Sequence, residues 1–146
     1  MPTHIQPQYF LAKTDPETYS IDDFVREKIT TWDGVHNYQA IAFIKQWKIG
    51  DIVLIYHSMG KAKLMGVSKV ISEPVKDEND LRGISWKADL ELIRTLEESE
   101  QITLKSIKES GLFQDWYLVR QSRLSVMPVP ESFLEWCKDI GVVLEG

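Results

Sequence analysis

The sequence predicts an α+β domain built on a strongly curved mixed sheet, with short helices between and after the strands. Three observations carry that expectation. The 146 residues are 43% hydrophobic and 10% aromatic, enough to bury a core in one domain spanning 1–146. The apolar segments are short and of both kinds, some alternating every second residue and some recurring at helical spacing. They do not follow one another as a regular strand–helix–strand series, which argues against a doubly wound parallel sheet.

Residues 9–13 read as the first strand, ended by the turn at Thr14, Asp15 and Pro16. Ser20 is placed to cap a short helix from Ile21, with Asp22 and Asp23 against the positive end of its dipole. Residues 30–37 have no period. Across 38–47, Ala40, Phe43, Ile44 and Trp47 recur at i, i+3, i+4 and i+7, so one helical face is apolar and Gly50 is the expected stop. Residues 51–58 form a continuous apolar strand, suited to burial on both faces, bounded by Gly50 and a turn at Met59 and Gly60. Residues 64–72 follow within hairpin distance. Across 86–92, Trp86, Ala88, Leu90 and Leu92 alternate with Lys87, Asp89 and Glu91, which predicts a strand with one wet face. Thr103 can cap a helix over 104–109, a second helical turn covers 113–118, and 124–129 is the last strand. Pro130 opens a final helix in which Phe133, Leu134, Cys137 and Ile140 share a face. The charged stretch 76–83 reads as an exposed loop.

Lys and Arg number 17 against 22 Asp and Glu, and this net charge of -5 argues against a protein that grips duplex nucleic acid mainly through its phosphates. The excess acid lies within residues 73–100, and outside that window the two signs balance. A local basic rim around Lys13, Lys61, Lys63, Arg120 and Arg123 is therefore compatible with the total. The longest apolar run, 52–56, is far too short to span a bilayer, and no signal segment opens the chain, so no membrane partner is expected. A lone Cys137, which the helical pattern buries, excludes an intrachain disulfide and suits a reducing, cytoplasmic setting. His4, His36 and His57 match no zinc spacing, no glycine-rich phosphate cradle is present, and no metal or cofactor is expected. His57 beside Ser58 does not make a hydrolase pair, because neighbours on a strand point to opposite faces.

Two clusters offer recognition chemistry instead. Trp32 and Asp33 precede Gly34, and Asn37, Tyr38 and Gln39 crowd the entrance of the 38–47 helix. A ring such as Trp32 or Tyr38 can stack on a flat ligand, and an amide such as Asn37 or Gln39 offers a donor and an acceptor together. Composition and period alone favour the plainer reading of the same residues, as core or staple aromatics and an ordinary helix cap. In the second cluster, residues 120–125, Arg120 and Arg123 can clamp a phosphate or carboxylate, pair with the acidic stretch, or cover apolar surface with their stems.

The motifs Tyr9-Phe10-Leu11-Ala12-Lys13-Thr14-Asp15-Pro16, Trp32-Asp33-Gly34-Val35-His36-Asn37-Tyr38-Gln39-Ala40, Tyr56-His57-Ser58 and Arg120-Gln121-Ser122-Arg123-Leu124-Ser125-Val126 occur in that order. Together they closely resemble the EVE domain family, from about Tyr9 to Gly141. The resemblance implies a PUA-like pseudo-β-barrel of curved mixed sheet with surrounding short helices. It also implies a non-catalytic module that binds a modified, flipped base of DNA or RNA in an aromatic and polar pocket. Lys13 and Ser20 would then face the pocket, Trp32 would be its stacking wall and Tyr38 a second ring. Asn37 and Gln39 would read polar edges, Tyr56, His57 and Ser58 would close the far wall, and Arg120, Ser122 and Arg123 would meet phosphate at the mouth. The family usually carries Arg where this chain has His36, exchanging a fixed charge for one that titrates near neutrality. Phe10 stands for a frequent Trp, and the loop 59–65 also departs from the family pattern.

The expectation is thus a monomeric or weakly dimeric cytoplasmic reader of a modified nucleobase. Two other classes are carried beside it. One is a small enzyme acting on a modified nucleoside or related heteroaromatic compound, with His57 or Lys13 as its acid/base group. The other is a protein-interaction module of a nucleic-acid modification complex.

Overall fold

Ser20, Asn37 and Thr103 each stand where an extended backbone turns helical, and each accepts a first-turn N–H on its side chain, from Asp23 at 3.2 Å, Ala40 at 3.0 Å and Ser106 at 3.0 Å. They open α1 (Ile21–Glu27), α2 (Tyr38–Ile44) and α3 (Leu104–Ser110). Asp23 completes a capping box by accepting the Ser20 N–H. Two further helices are α4 (Tyr117–Arg120) and α5 (Glu131–Asp139), the latter with Pro130 at its N-cap. The computed structural model describes residues 6–144, so His4 lies outside the described residues.

The strands are β1 (Tyr9–Thr14), β2 (Ile29–Trp32), β3 (Ile52–His57), β4 (Lys63–Val70), β5 (Val75–Lys76), β6 (Trp86–Thr95) and β7 (Val126–Pro128). They form one mixed sheet in the order β2-β6-β4-β3-β1-β7, with β5 also on β6. Only the β1–β3 pair is parallel among the described strands, with Leu11 opposite Leu54. Bulges between Ile55 and Tyr56 and between Val67 and Ser68 interrupt the ladders, and extra residues of that kind sharpen strand twist. The sheet is open: β2 and β7 are its edges, and no pairing among the described residues joins them.

Every residue of β3 is buried, as the continuous apolar run requires, and Phe10, Leu54, Leu64 and Leu90 build the core between sheet and helices. A buried carboxylate anchors the start of β3. Asp51 accepts the Gln8 N–H at 3.0 Å, the Gln8 side-chain amide at 3.0 Å and the Lys48 N–H at 2.9 Å.

The structure corrects several sequence expectations. The helix expected over 38–47 ends at Ile44, and Trp47 reaches the core from the turn beyond it, where it packs against Phe10. The periodless 30–37 stretch begins with strand β2, too short to display alternation. The 76–83 stretch is mostly exposed, as expected, but Lys76 ends β5, Asp77 is buried, and Asp80 accepts the N–H groups of Arg82, Ile84 and Ser85. The helical turn expected at 113–118 lies at Tyr117–Arg120 instead. Ile140 falls past the end of α5 and is half exposed, while Phe133 and Cys137 are buried as the pattern requires.

Candidate functional site

Where the sheet fails to close, a cleft of about 650 Å³ opens between edge strand β2 and the C-terminal end of β1. Thr30, Thr31 and Trp32 form one wall, Lys13, Thr14 and Tyr19 another, and Arg123 and Ser125 approach from the segment leading into β7. Residues 33–37 close one end, turning at Gly34 with φ +70, a conformation that L side chains rarely adopt.

Trp32 ends β2 and is largely buried. Tyr19 packs edge-on against it, ring centroids 6.3 Å apart at 86°, and fixes the indole as a rigid wall. The Tyr19 hydroxyl donates to Glu27 Oε1 at 2.7 Å. Burial, reinforced by the Glu27 and Asp23 carboxylates, pushes its pKa up to about 12, so Tyr19 stays neutral.

Lys13 Nζ donates to the Ser122 carbonyl at 3.0 Å and lies 5.9 Å from the centre of the Tyr56 ring. Burial lowers its pKa from the usual lysine value. The Lys13 backbone N–H donates to the Ser125 carbonyl at 2.8 Å, which seams β1 to the 120–125 cluster. Arg123 is exposed at the rim and makes no ion pair among the described residues.

His36, which stands where the resembled family usually carries Arg, is held by Arg82. Arg82 donates to the His36 carbonyl and to Nδ1, both at 3.1 Å. A guanidinium has no acceptor, so Nδ1 is the accepting nitrogen and the ring proton sits on Nε2. Arg82, which also pairs with Asp80 at 3.4 Å and does not line the cleft, ties His36 to the 77–85 loop, whose Ser85 hydroxyl donates to the Val35 carbonyl at 2.8 Å.

Of the residues singled out in the sequence, the cleft gathers Lys13, Trp32, Asn37 and Arg123. The Asn37 oxygen is occupied as the α2 cap. Ser20 is spent on the α1 cap and does not line the cleft. Tyr38 is 73% exposed and stands outside it. Gln39 and Arg120 line a separate cleft of about 690 Å³ beside Phe113, Trp116 and Tyr117. Ser122 contributes its carbonyl to Lys13.

Tyr56 is buried beneath Lys13, and burial pushes its hydroxyl up to about 12. Ser58 lies by the Thr14 carbonyl, 3.4 Å away. His57 is buried, and its Nε2 accepts the Ile21 N–H at 3.1 Å, opposite the start of α1. Burial and then the Lys63 charge lower its pKa, against a smaller opposing pull from Asp22. Tyr19 and Thr31 were not singled out in the sequence. The pairing that makes β2 an edge strand was the missing signal, and four residues are too few to announce it.

The profile of the EVE domain matches residues 8–138. The chain belongs to the EVE domain family. Human thymocyte nuclear protein 1 is 25% identical to it, with 84% of this chain and 69% of that protein aligned. Across the vertebrate forms of that protein the matched share runs from 36% to 71% of their length. Among solved structures, protein Atu2648 from Agrobacterium tumefaciens superposes with a TM-score of 0.82 at 28% identity, covering 95% of this chain and 98% of that one. Human THYN1, solved in complex with 5-methylcytosine-containing DNA, superposes with a TM-score of 0.80 at 22% identity, covering 91% and 96%. The YTH domain of Zygosaccharomyces rouxii MRB1 shares the fold at 12% identity and a TM-score of 0.58, over 100% of this chain and 96% of that one. The architecture is accordingly PUA-like, with the sheet left open. Among the described residues no helix is long and apolar enough to cross a membrane, and no three His, Cys, Asp or Glu side chains gather as a metal site.

Proposed function

We propose that this chain is a non-catalytic reader of a modified nucleobase in DNA or RNA, the seam cleft receiving a base turned out of its stack. The observation that carries the reading is the cleft itself, where Trp32, Lys13 and Arg123 arrive from segments far apart in sequence. A rigid aromatic wall serves the base, worth about 1 to 3 kcal/mol in stacking. Cations at the rim serve the phosphates that flank it. That a homologue, human THYN1, was solved with 5-methylcytosine-containing DNA supports the same ligand class here. The net charge of -5 suits a domain that grips one unstacked nucleotide rather than a length of duplex.

The enzyme reading is disfavoured by one observation. The accepting nitrogen of His57 is occupied by the Ile21 N–H and does not line the cleft, which leaves Lys13 as the one acid/base group named for such chemistry there. The proposal extends to a cytoplasmic, monomeric or weakly dimeric protein.

The test is binding to short single- and double-stranded DNA and RNA oligonucleotides, each with one modified base beside an unmodified control. One modification, 5-methylcytosine first, is expected to bind about tenfold or more tighter than its control. Arg123→Ala should weaken all oligonucleotides alike, whereas Trp32→Phe, which keeps the wall, and Trp32→Ala, which removes it, should separate stacking from charge. Equal binding across the panel would refute the reading.

A further inference from the structure

The cleft wall formed by β2 is an unpaired sheet edge, and its register decides which main-chain groups are free. The Leu92 N–H donates to the Lys28 carbonyl at 2.8 Å, just before β2 pairs Ile29 with Glu91, Thr30 with Leu90, Thr31 with Asp89 and Trp32 with Ala88. Residues directly opposite in an antiparallel ladder exchange hydrogen bonds at every second pair. Counting from Lys28 and Leu92, Thr30 and Trp32 spend their N–H and C=O groups on β6. Those of Thr31 point outward. The other face of the ladder agrees: the Ile71 N–H donates to the Asp89 carbonyl at 3.0 Å, so Asp89, opposite Thr31, bonds toward β4 rather than β2.

The Thr31 side chain is not what meets the cleft. Its hydroxyl donates to Asp89 Oδ1 at 2.7 Å, and strand alternation puts it on the face opposite Trp32. Thr31 nevertheless lines the cleft, beside the Trp32 wall. What it offers there is the outward pair of its own N–H and C=O, which no described group occupies.

The geometry points to main-chain readout: the N–H and C=O of Thr31 form the paired donor and acceptor that hydrogen-bond the Watson–Crick edge of the base, while Trp32 stacks on its face. In an extended residue these two groups lie side by side and point the same way. They complement a base edge that carries an acceptor next to a donor, as cytosine does with N3 and its N4 amine, or adenine with N1 and its N6 amine. Such a contact is blind to a substituent at cytosine C5, which lies outside the paired edge. The 5-position would then be judged by the cleft walls alone. This inference rests on the base-reader proposal and specifies how that site holds its ligand.

The experiment uses the full chain and a single-stranded DNA oligonucleotide carrying one 5-methylcytosine, with an abasic oligonucleotide of the same sequence as control. Thr31→Val keeps the main chain and removes the hydroxyl with its bond to Asp89, so whatever it loses measures the side chain and is subtracted from the effect of the next variant. Thr31→Pro removes the N–H, a change an edge strand tolerates because that group makes no ladder bond. It should lose about tenfold or more for the 5-methylcytosine oligonucleotide and little for the abasic one. A parallel ¹⁵N titration of the unmutated chain, independent of how Thr31→Pro folds, should move the Thr31 amide resonance downfield on adding the 5-methylcytosine oligonucleotide only. Main-chain readout is overturned if that resonance stays still, or if folded Thr31→Pro binds like the parent while Trp32→Ala does not. If the parent prefers no modified oligonucleotide, the base-reader proposal fails as well, a result distinct from loss of the Thr31 contact alone.

Discussion

His57 illustrates how a reactive side chain becomes structural. Its imidazole accepts the first N–H of α1, a group that a helix start otherwise leaves orphaned. Protonation removes that acceptor. Because burial and Lys63 hold the folded pKa below 6.5, the unfolded chain takes up a proton that the native chain refuses in the window just below 6.5. The contribution of His57 to stability is therefore complete above pH 6.5 and is lost as the pH falls through the lowered folded value. Urea unfolding at a series of pH values should show this decline in the parent, and a flatter profile in His57→Gln, whose amide oxygen can accept the same N–H without titrating. At the same scale, Arg82 binds His36 and Asp80 together, so the residue at position 36 is held by a loop far away in sequence. Nothing in the local sequence around His36 announces it.

Among the elements, β4 holds the tightest packing constraint. A Cβ on Gly66 would lie 2.8 Å from Ile21 Cδ1 and 3.1 Å from the Arg94 carbonyl oxygen, wedged between the start of α1 and its neighbour in β6. Gly66→Ala should cost about 1 to 3 kcal/mol, measured by denaturant unfolding, since the Ile21 tip can rotate but the Arg94 backbone cannot. Elements with strong local chemistry were legible in the sequence: Ser20, Asn37 and Thr103 mark their helices, and the apolar run of β3 marks the centre of the sheet. Elements defined by partners were not. Strand β2 exists because β6 pairs with it, and the 77–85 loop is ordered because Asp80 collects three backbone N–H groups, which holds its carboxyl down at about 2. The cleft was legible in part for the same reason. Trp32 and Lys13 are conspicuous residue types, whereas Tyr19 and Thr31 matter only through the ring packed against Trp32 and the ladder that leaves one edge bare.

For the molecule as a whole, the distribution of charge sets how binding responds to salt. Two cations of the chain, Lys13 and Arg123, line the proposed site, and the surplus of acid lies within residues 73–100. Each neutralised phosphate of a single strand contributes a slope of about −0.7 to the dependence of log K on log salt. The proposed complex should therefore show a slope of about −1.4 or shallower, far from that of a groove-tracking protein, and binding titrations from low to high salt would measure it. A slope several times steeper would mean that the nucleic acid runs across a wider basic surface than the cleft.

The seam also sets an order of events. Phe10 pairs with Pro128, and Lys13 reaches Ser122 and Ser125 across most of the chain. Contacts so distant in sequence carry a large loop-closure cost and form late. As the polypeptide leaves the ribosome, β1 can dock on β3 early, yet one wall of the cleft is missing until residues 122–128 emerge. The face proposed for binding is thus completed only at the end of folding, and a nascent chain that lacks residues 122–128 should lack it.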